Sequence, residues 1–432
     1  MRVTRFLADM SASVHAVPED ALAIMRLSVL DWAACALAGR HEPVAQAVRH
    51  LESENGGAPD AIVIGADHML PMRAAAMVNG TTAHALDFDD THFAHIGHPS
   101  AVIVSAALAM AQRQGDNDGN LFLRAALVGA EASIRVGLWL GRAHYETGFH
   151  QTATAGTIGA AVAGAAIFNL STDETHSAIG LAATRAAGLK VQFGTMGKPY
   201  HAGMAAASSV EAVHAAMIGV EGAPEVLDGP FGFGATHHGA GDAEALMQDG
   251  TLFSAISHKY HACCHGTHAS IEAVLALKDQ VDPAQVSRIQ INVHPRWLDV
   301  CAIPQPQTRL EAKFSLSATA AMALLGRGMV DQVSFEPSVI LAPEVVVLRD
   351  KVAVVGDAEL SDTEAHVTIT ADGIDHTHHH DLAKAAPFEV RKERVFSKAC
   401  ALIGRDRTQM LWDASNGAGG FDLKAFTAAL RH

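Results

Sequence analysis

From Gln151 to Ile167 the chain reads QTATAGTIGAAVAGAAI, a run with no charge and no aromatic ring. Alanine, glycine and threonine at this density suit a helix buried on every side, because only small side chains let neighbouring helices approach closely. The run is therefore expected at the centre of a helical bundle. Apolar residues recur at helical spacing in Ala21 to Leu37, Ala101 to Gln112, Leu121 to Leu140 and Ala202 to Gly219, which supply the surrounding helices. Ser171-Thr-Asp-Glu174 has the form of a capping box opening a further helix, and Asp242 to Asp249 reads as helical.

The character of the chain changes after His268. Val286 to Val293 alternates as a strand, and Val352 to Val355 and Ala365 to Thr370 read as two more, with Gly356-Asp357 and Asp372-Gly373 as turns. The run His376-Thr-His-His-His380 reads as a solvated turn. Helical pattern returns from about Arg391 to Leu402 and from Asp422 to Leu430. At 432 residues two domains are the natural expectation. The pattern predicts a mainly α chain: a large all-helical bundle domain from both chain ends (1–265 and 394–432) and an inserted, smaller α+β domain (266–393).

Hydrophobic residues make up 49% of the chain and charged ones 18%, so this is a well-buried globular protein rather than a disordered one. A formal charge of −15 argues against nucleic acid or an anionic membrane as partner, while leaving room for a locally basic pocket. Five cysteines, two of them vicinal, fit reduced thiols better than a disulfide framework. The N-terminal residues lack the apolar core of a signal peptide, and no apolar run reaches the roughly 18 residues of a membrane span without polar interruption. A cytoplasmic protein is expected.

Against this apolar background stands His84-Ala-Leu-Asp-Phe-Asp-Asp-Thr-His-Phe-Ala-His-Ile-Gly-His-Pro-Ser100. Such a dense polar segment costs stability unless it serves a site or is fully hydrogen-bonded. Four further groups share its character: His144 to His150, Gly194 to Gly203, His258 to His268, and Lys313 to Ser317. Several fall at helix N-termini, where unpaired N–H groups and the helix dipole favour anions. Lys198 and Lys259 add positive charge, so the set suits a substrate with several carboxylates. The His/Cys cluster at 258–268 lacks the paired ligand spacing of a zinc site, and Asp89, Asp90, His92, His95 and His98 are an equally plausible ligand set on paper, so a catalytic metal is kept as the minor alternative. The glycines at 229–234 do not follow a strand as a dinucleotide fingerprint requires. No metal or organic cofactor is expected.

At His84-Ala-Leu-Asp-Phe-Asp-Asp-Thr91, His98-Pro-Ser100, Gly148-Phe-His150, Gly194-Thr-Met-Gly-Lys-Pro-Tyr-His201, Gly229-Pro-Phe-Gly-Phe233, Lys259 with Cys263 and His268, and Lys313-Phe-Ser315, the chain resembles the MmgE/PrpD family. That family includes 2-methylcitrate dehydratase, cis-aconitate decarboxylase and iminodisuccinate epimerase. The resemblance implies a helical domain with an inserted α+β domain, a homodimer, an active site between the domains, and no obligatory cofactor. Carried over by position, it implies a site of Asp87, Thr91, His98, His150, Lys198 and Lys259, with His268 on a motif histidine. The segment from Thr91 to His98 is one residue longer than in the decarboxylase pattern. Ala318 stands where that pattern has a tyrosine.

The chemistry implied is removal or delivery of a proton at a carbon next to a carboxylate, which needs a tuned base and cations to stabilise enolate-like charge. Lys198, His201, Lys259 and His268 are the expected substrate-binding groups, with Lys198 also able to exchange protons. His98 and His150 are candidate acid/base groups, because imidazole titrates near neutrality. Asp87 and Thr91 would orient them, and Tyr145 could deliver a proton from the opposite face. The expected activity is a dehydratase of a citrate-like or 2-methylcitrate-like acid. The alternatives are a two-base epimerase of an iminodisuccinate-like dicarboxylate, and a non-catalytic carboxylate-binding protein.

Overall fold

The computed structural model describes residues 3–330, 333–384 and 386–431. The chain is mainly helical, with a smaller α+β part, and divides into two compact units: Met1–His258 with Arg391–His432, and Lys259–Val390.

The first unit is built from α1 (Val3–Ala12), α2 (Glu19–Gly39), α3 (Pro43–Asn55), α4 (Met72–His84), α5 (Pro99–Gln114), α6 (Gly119–Thr147), α7 (Gln151–Ile167), α8 (Thr172–Arg185) and α9 (Gly197–Met217). Phe388–Ile403, Arg405–Ser415 and Leu423–Arg431 complete it from the far end of the chain. A two-residue ribbon, β1 (Ala61–Ile62) with β2 (Met69–Leu70), precedes α4. Every residue of α7 is buried, and its glycines are where its neighbours come closest. A Cβ on Gly159 would lie 2.4 Å from the Gly129 carbonyl oxygen of α6, and one on Gly156 would lie 3.1 Å from Val102 of α5. One on Gly164 would lie 2.6 Å from Met110 of α5 and 2.8 Å from Val213 of α9. Because the obstacle at Gly159 is backbone, Gly159→Ala must push α6 and α7 apart. The expected cost is about 1–3 kcal/mol, read as a lower urea midpoint at unchanged slope. An unchanged midpoint would disprove this account of the packing.

Local signals set the helix ends. Ser171 caps α8 with Glu174 in a full capping box, as its sequence predicts. The helix expected from Leu121 runs on to Thr147 through a kink at Gly141, whose φ of 71° only glycine adopts readily. The helix expected over Asp242 to Asp249 is a single turn, Ala243–Leu246, capped by the Asp242 carboxylate. By length and composition α2 passes for a membrane span, although Arg26 and Asp31 interrupt its apolar run. It is nonetheless mostly buried within the unit, and its Asp31 meets Lys398 of Phe388–Ile403, 2.6 Å apart.

The second unit is a four-stranded sheet, order β4-β3-β5-β6, made of β3 (Val286–Val293), β4 (Val352–Gly356), β5 (Glu364–Ala371) and β6 (Ile374–Asp381). β3 pairs parallel with β4 and antiparallel with β5, and β5 pairs antiparallel with β6. The buried face carries Ile289, Ile291 and Val293 from β3 and Val367 and Ile369 from β5, under the helices His268–Leu277 and Leu316–Leu324. The histidine run read as a turn is instead the edge strand β6. Asp372 (φ 52°) and Gly373 (φ 77°) make the tight turn that returns the chain beside β5, with Ala371 opposite Ile374. An edge strand faces water on one side and therefore tolerates polar residues.

Candidate active site

In the helical unit α4 ends beside the start of α9, because glycines let the two helices touch. Gly80 would place a Cβ 3.0 Å from the Ala202 carbonyl, and Gly203 would place one 2.3 Å from that of Met77. His84 closes α4, and Lys198 lies in the first turn of α9. His98 and His150 are the residues just before α5 and α7. The His98 main-chain N–H donates to Thr152 Oγ1 at 3.0 Å, which ties the two helix starts together. One helix end and three helix starts thus deliver polar side chains to one place.

Asp89 sits at the centre, fully buried. His84 Nδ1 lies 2.8 Å from its Oδ1, and His98 Nδ1 lies 3.2 Å from its Oδ2. Burial opposes ionisation, but the two imidazoles outweigh it and hold Asp89 well below the usual carboxylate range. An ionised carboxylate only accepts hydrogen bonds, so each imidazole faces it with an N–H. That leaves His98 Nε2 toward Asp87, whose Oδ1 is 3.4 Å away. The same Oδ1 receives the Lys198 ammonium at 2.8 Å. Asp87 holds a left-handed φ of 52°, uncommon outside glycine and a form of backbone strain that recurs at functional sites.

His150 Nδ1 lies 3.1 Å from His201 Nδ1, and its ring stacks 6.0 Å from that of His84. Phe193 packs against the His150 ring and under Lys198. Burial first, then the charge of Lys198, pushes His150 well below its ordinary value. His201 is lowered by burial and by His84. His150 was expected to titrate near neutrality; burial instead keeps it a neutral imidazole, with one ring nitrogen that donates a hydrogen bond and one that accepts, and Lys198 supplies the positive charge nearby.

Of the residues read from sequence, Asp87, His98, His150, Lys198 and His201 come together here. Thr91 pairs with Ser257 in an antiparallel bridge, N–H to carbonyl at 2.8 Å and 2.7 Å, which anchors the polar stretch. Tyr145 lies half-buried on the last turn of α6, with the Lys190 ammonium 4.0 Å over its ring. Lys259 and His268 belong to the other unit, where both are buried. His268 packs edge-on against His261 and His265, and burial, then those neighbours, lowers it well below its usual value.

His84 and Asp89 were not singled out by sequence, although both lie in the polar stretch. Their signal is spacing: a histidine closing a helix and a carboxylate five residues on, past a backbone reversal at Asp87. His92 and His95, also left aside, shape the loop. The His92 N–H donates to the Gly97 carbonyl at 2.9 Å, and His95 fills the space left by Gly137 of α6.

Behind the cluster lies a second buried layer. Asp90 accepts from Ser100 Oγ at 2.6 Å and from the Ser100 N–H at 3.2 Å. Burial, then the charge of Asp31, pushes Asp90 up to about 7. Burial also raises Asp31 to about 6, against the pull of Lys398. Lys398 donates to the Phe88 carbonyl as well, and its ammonium sits 3.9 Å over the Phe88 ring. The segment between Asp87 and Asp89 is thereby fastened from below.

His84, Asp87, Asp89 and His98 present ligand atoms all within 4.8 Å of one another, so together they have the donor set to hold a divalent cation. The Lys198 ammonium already meets Asp87 from one side.

A model of the MmgE/PrpD N-terminal domain matches residues 4–246, and one of the C-terminal domain matches residues 261–393. The chain belongs to the MmgE/PrpD family. Among its relatives, the cis-aconitate decarboxylase-like protein oryM of Aspergillus oryzae is 29% identical over 79% of this chain and 77% of its own. Cis-aconitate decarboxylase of Mus musculus is 30% identical over 66% of this chain and 61% of its own. The Homo sapiens enzyme of that name is 35% identical over 39% of this chain and 36% of its own. The chain thus spans less than two thirds of the two mammalian proteins. The site described above falls inside the N-terminal family domain.

Proposed function

We propose that this MmgE/PrpD protein is a cofactor-independent lyase that removes a proton next to a carboxylate of a small di- or tricarboxylic acid. The observation that carries this reading is the pairing of one buried-side cation, Lys198, with imidazoles His98 and His150 arranged around Asp87 and Asp89. In this reading Lys198 exchanges Asp87 for a substrate carboxylate and stabilises the negative charge that develops as the carbon loses its proton. His98, held through Nδ1 by Asp89, presents Nε2 as the base. The proton that His98 takes from carbon leaves with the departing hydroxyl as water, and neutral His150, backed by His201, hydrogen-bonds that hydroxyl as it goes. Lys259 and His268 are proposed to bind a further carboxylate. Loss of a hydroxyl from the adjacent carbon makes the reaction a dehydration, on a citrate-like or 2-methylcitrate-like acid.

A second reading is decarboxylation, favoured by the activity in the relatives' names. A carbanion of the same kind forms by loss of carbon dioxide, and His98, protonated from water beside Asp89, then delivers the proton that replaces it. Epimerisation of a dicarboxylate needs bases on both faces of the carbon, which His98 and His150 could provide. Incubation with 2-methylcitrate, citrate, cis-aconitate and iminodisuccinate in D2O, followed by proton NMR, separates the three. Alkene product from a hydroxy acid supports dehydration, whereas carbon dioxide release from cis-aconitate replaces it with decarboxylation. Deuterium in recovered substrate, with inversion and no alkene, replaces both with epimerisation. No turnover and no exchange across the panel, beside carboxylate-dependent thermal stabilisation, would leave a binding protein.

The absence of a required metal is tested separately. Exhaustive chelation is expected to leave turnover unchanged, because Lys198 supplies the charge a Lewis acid would otherwise bring. Loss of turnover on chelation, restored by a divalent ion, would instead assign that ion to His84, Asp87, Asp89 and His98.

A further inference from the structure

The α+β unit carries a pair of sulfur atoms that the proposed reaction does not use. Cys264 lies in the loop from Lys259 to His268, and Cys301 follows the short helix Arg296–Val300. The Cys301 thiol donates to Cys264 Sγ at 3.3 Å. Both main chains are fixed where they meet. The Cys264 N–H donates to the Lys313 carbonyl at 2.9 Å, and the Cys301 carbonyl accepts from Leu316 N–H at 2.8 Å. Lys313 and Leu316 are three residues apart, so one short segment holds both cysteines. A disulfide bond is roughly 2.05 Å long, so the sulfurs need to approach by little more than an ångström.

We propose that Cys264 and Cys301 are a peroxide-sensitive dithiol that closes to a disulfide inside the α+β unit. Cys301 is fully buried, and its hydrogen bond to Cys264, with burial, pushes its thiol well up, so it keeps its proton. Cys264 is half-buried and is the member a small peroxide reaches. Its thiolate attacks the peroxide, the O–O bond breaks, and the outer oxygen leaves as water or an alcohol, giving a sulfenic acid. Cys301 sulfur then attacks Cys264 Sγ. The S–O bond breaks, and the hydroxide leaves with the Cys301 proton as water. Two thiols and one peroxide thus give one disulfide, and an external dithiol reverses the step.

The other cysteines are poorly placed to compete. Cys263 is buried, hydrogen-bonded to Thr267 Oγ1 at 3.0 Å, and pushed by burial up to about 12. Cys35 is buried in the other unit, and Cys400 belongs to that unit too. The loop that would be tied down carries Lys259 and His268, so an effect on substrate rests on the function proposed above. The cross-link itself does not.

The test is mass spectrometry of the full-length protein, reduced, treated with hydrogen peroxide, alkylated and digested without reductant. The expected result is one cross-linked peptide pair holding Cys264 and Cys301, two hydrogens lighter than the free peptides and released by dithiothreitol. Because Cys263 shares the peptide with Cys264, Cys263→Ser must retain the cross-link and Cys264→Ser must abolish it, as must Cys301→Ser. Cys35→Ser and Cys400→Ser should retain it. Oxidation of Cys264 to a sulfinic acid with Cys301 unlinked overturns the proposal, as does a cross-link through Cys263 or Cys400, or no oxidation at all. These readouts need no knowledge of the substrate, so failure of the proposed reaction leaves them interpretable.

Discussion

Lys198→Ala should lower kcat/KM on a di- or tricarboxylate by about 10²–10⁴-fold, the range seen when one charge-stabilising or proton-transfer group is removed. The loss should fall on kcat as well as KM, because in the proposed reaction the ammonium that meets Asp87 at 2.8 Å stabilises the charge that develops on the substrate. His150→Ala should cost a similar factor. The two changes together should cost less than the product of the separate losses, since both groups act on one carbanion. Lys198→Arg should recover little, because a planar fork does not replace a compact ammonium over Phe193. If Lys198→Ala and His150→Ala both retain full turnover on an accepted substrate, the reaction is carried out elsewhere in the protein.

The largest effect on stability is expected at Lys398. Its ammonium is fully buried between Asp31 and the Phe88 carbonyl, so Lys398→Met leaves Asp31 buried and uncompensated, at a cost of about 3–5 kcal/mol. The pH dependence has a definite sign. Asp31 is already raised to about 6, and without Lys398 it rises further. A raised carboxyl contributes stability that is fully present below its unfolded value of 3.8 and is lost as pH rises through the folded value. The deficit of Lys398→Met relative to the native protein should therefore be small near pH 5 and large near pH 8, in urea midpoints measured at both. Asp31→Leu in the Lys398→Met background should restore much of the loss, since an apolar pair of similar volume removes the orphaned charge. Equal deficits at both pH values would show that Lys398 acts through packing alone.

The sequence was legible wherever local chemistry decides the outcome. Small residues put α7 at the centre of its bundle, and Ser171 with Glu174 opened α8. The polar stretch from His84 marked the site because its cost was visible against apolar flanks. Pairings between distant positions were not legible. Lys398 looks like any lysine on a C-terminal helix until Asp31 is found beside it. Asp89 looks no different from Asp87 or Asp90 until the chain reverses at Asp87 and turns one carboxylate onto two imidazoles. The histidine strand β6 was missed for another reason. Its residues are poor strand formers, and the Asp372-Gly373 turn, recognised as a turn, also dictates that a strand must follow it back.

The fastening of Phe88 by Lys398 also sets an order of events during synthesis. The two residues are 310 positions apart, and the whole α+β unit is encoded between them. Folding on the ribosome proceeds from the N-terminal side at about 5–20 residues per second. The helices bearing His84, His98, His150 and Lys198 therefore emerge well before the side chain that neutralises Asp31 beneath them. During that interval burial acts on Asp31 without the opposing ammonium, which favours its protonated form. The Phe88 carbonyl gains its ammonium donor only when Phe388–Ile403 arrives, so the support beneath the loop is expected to be completed late in translation.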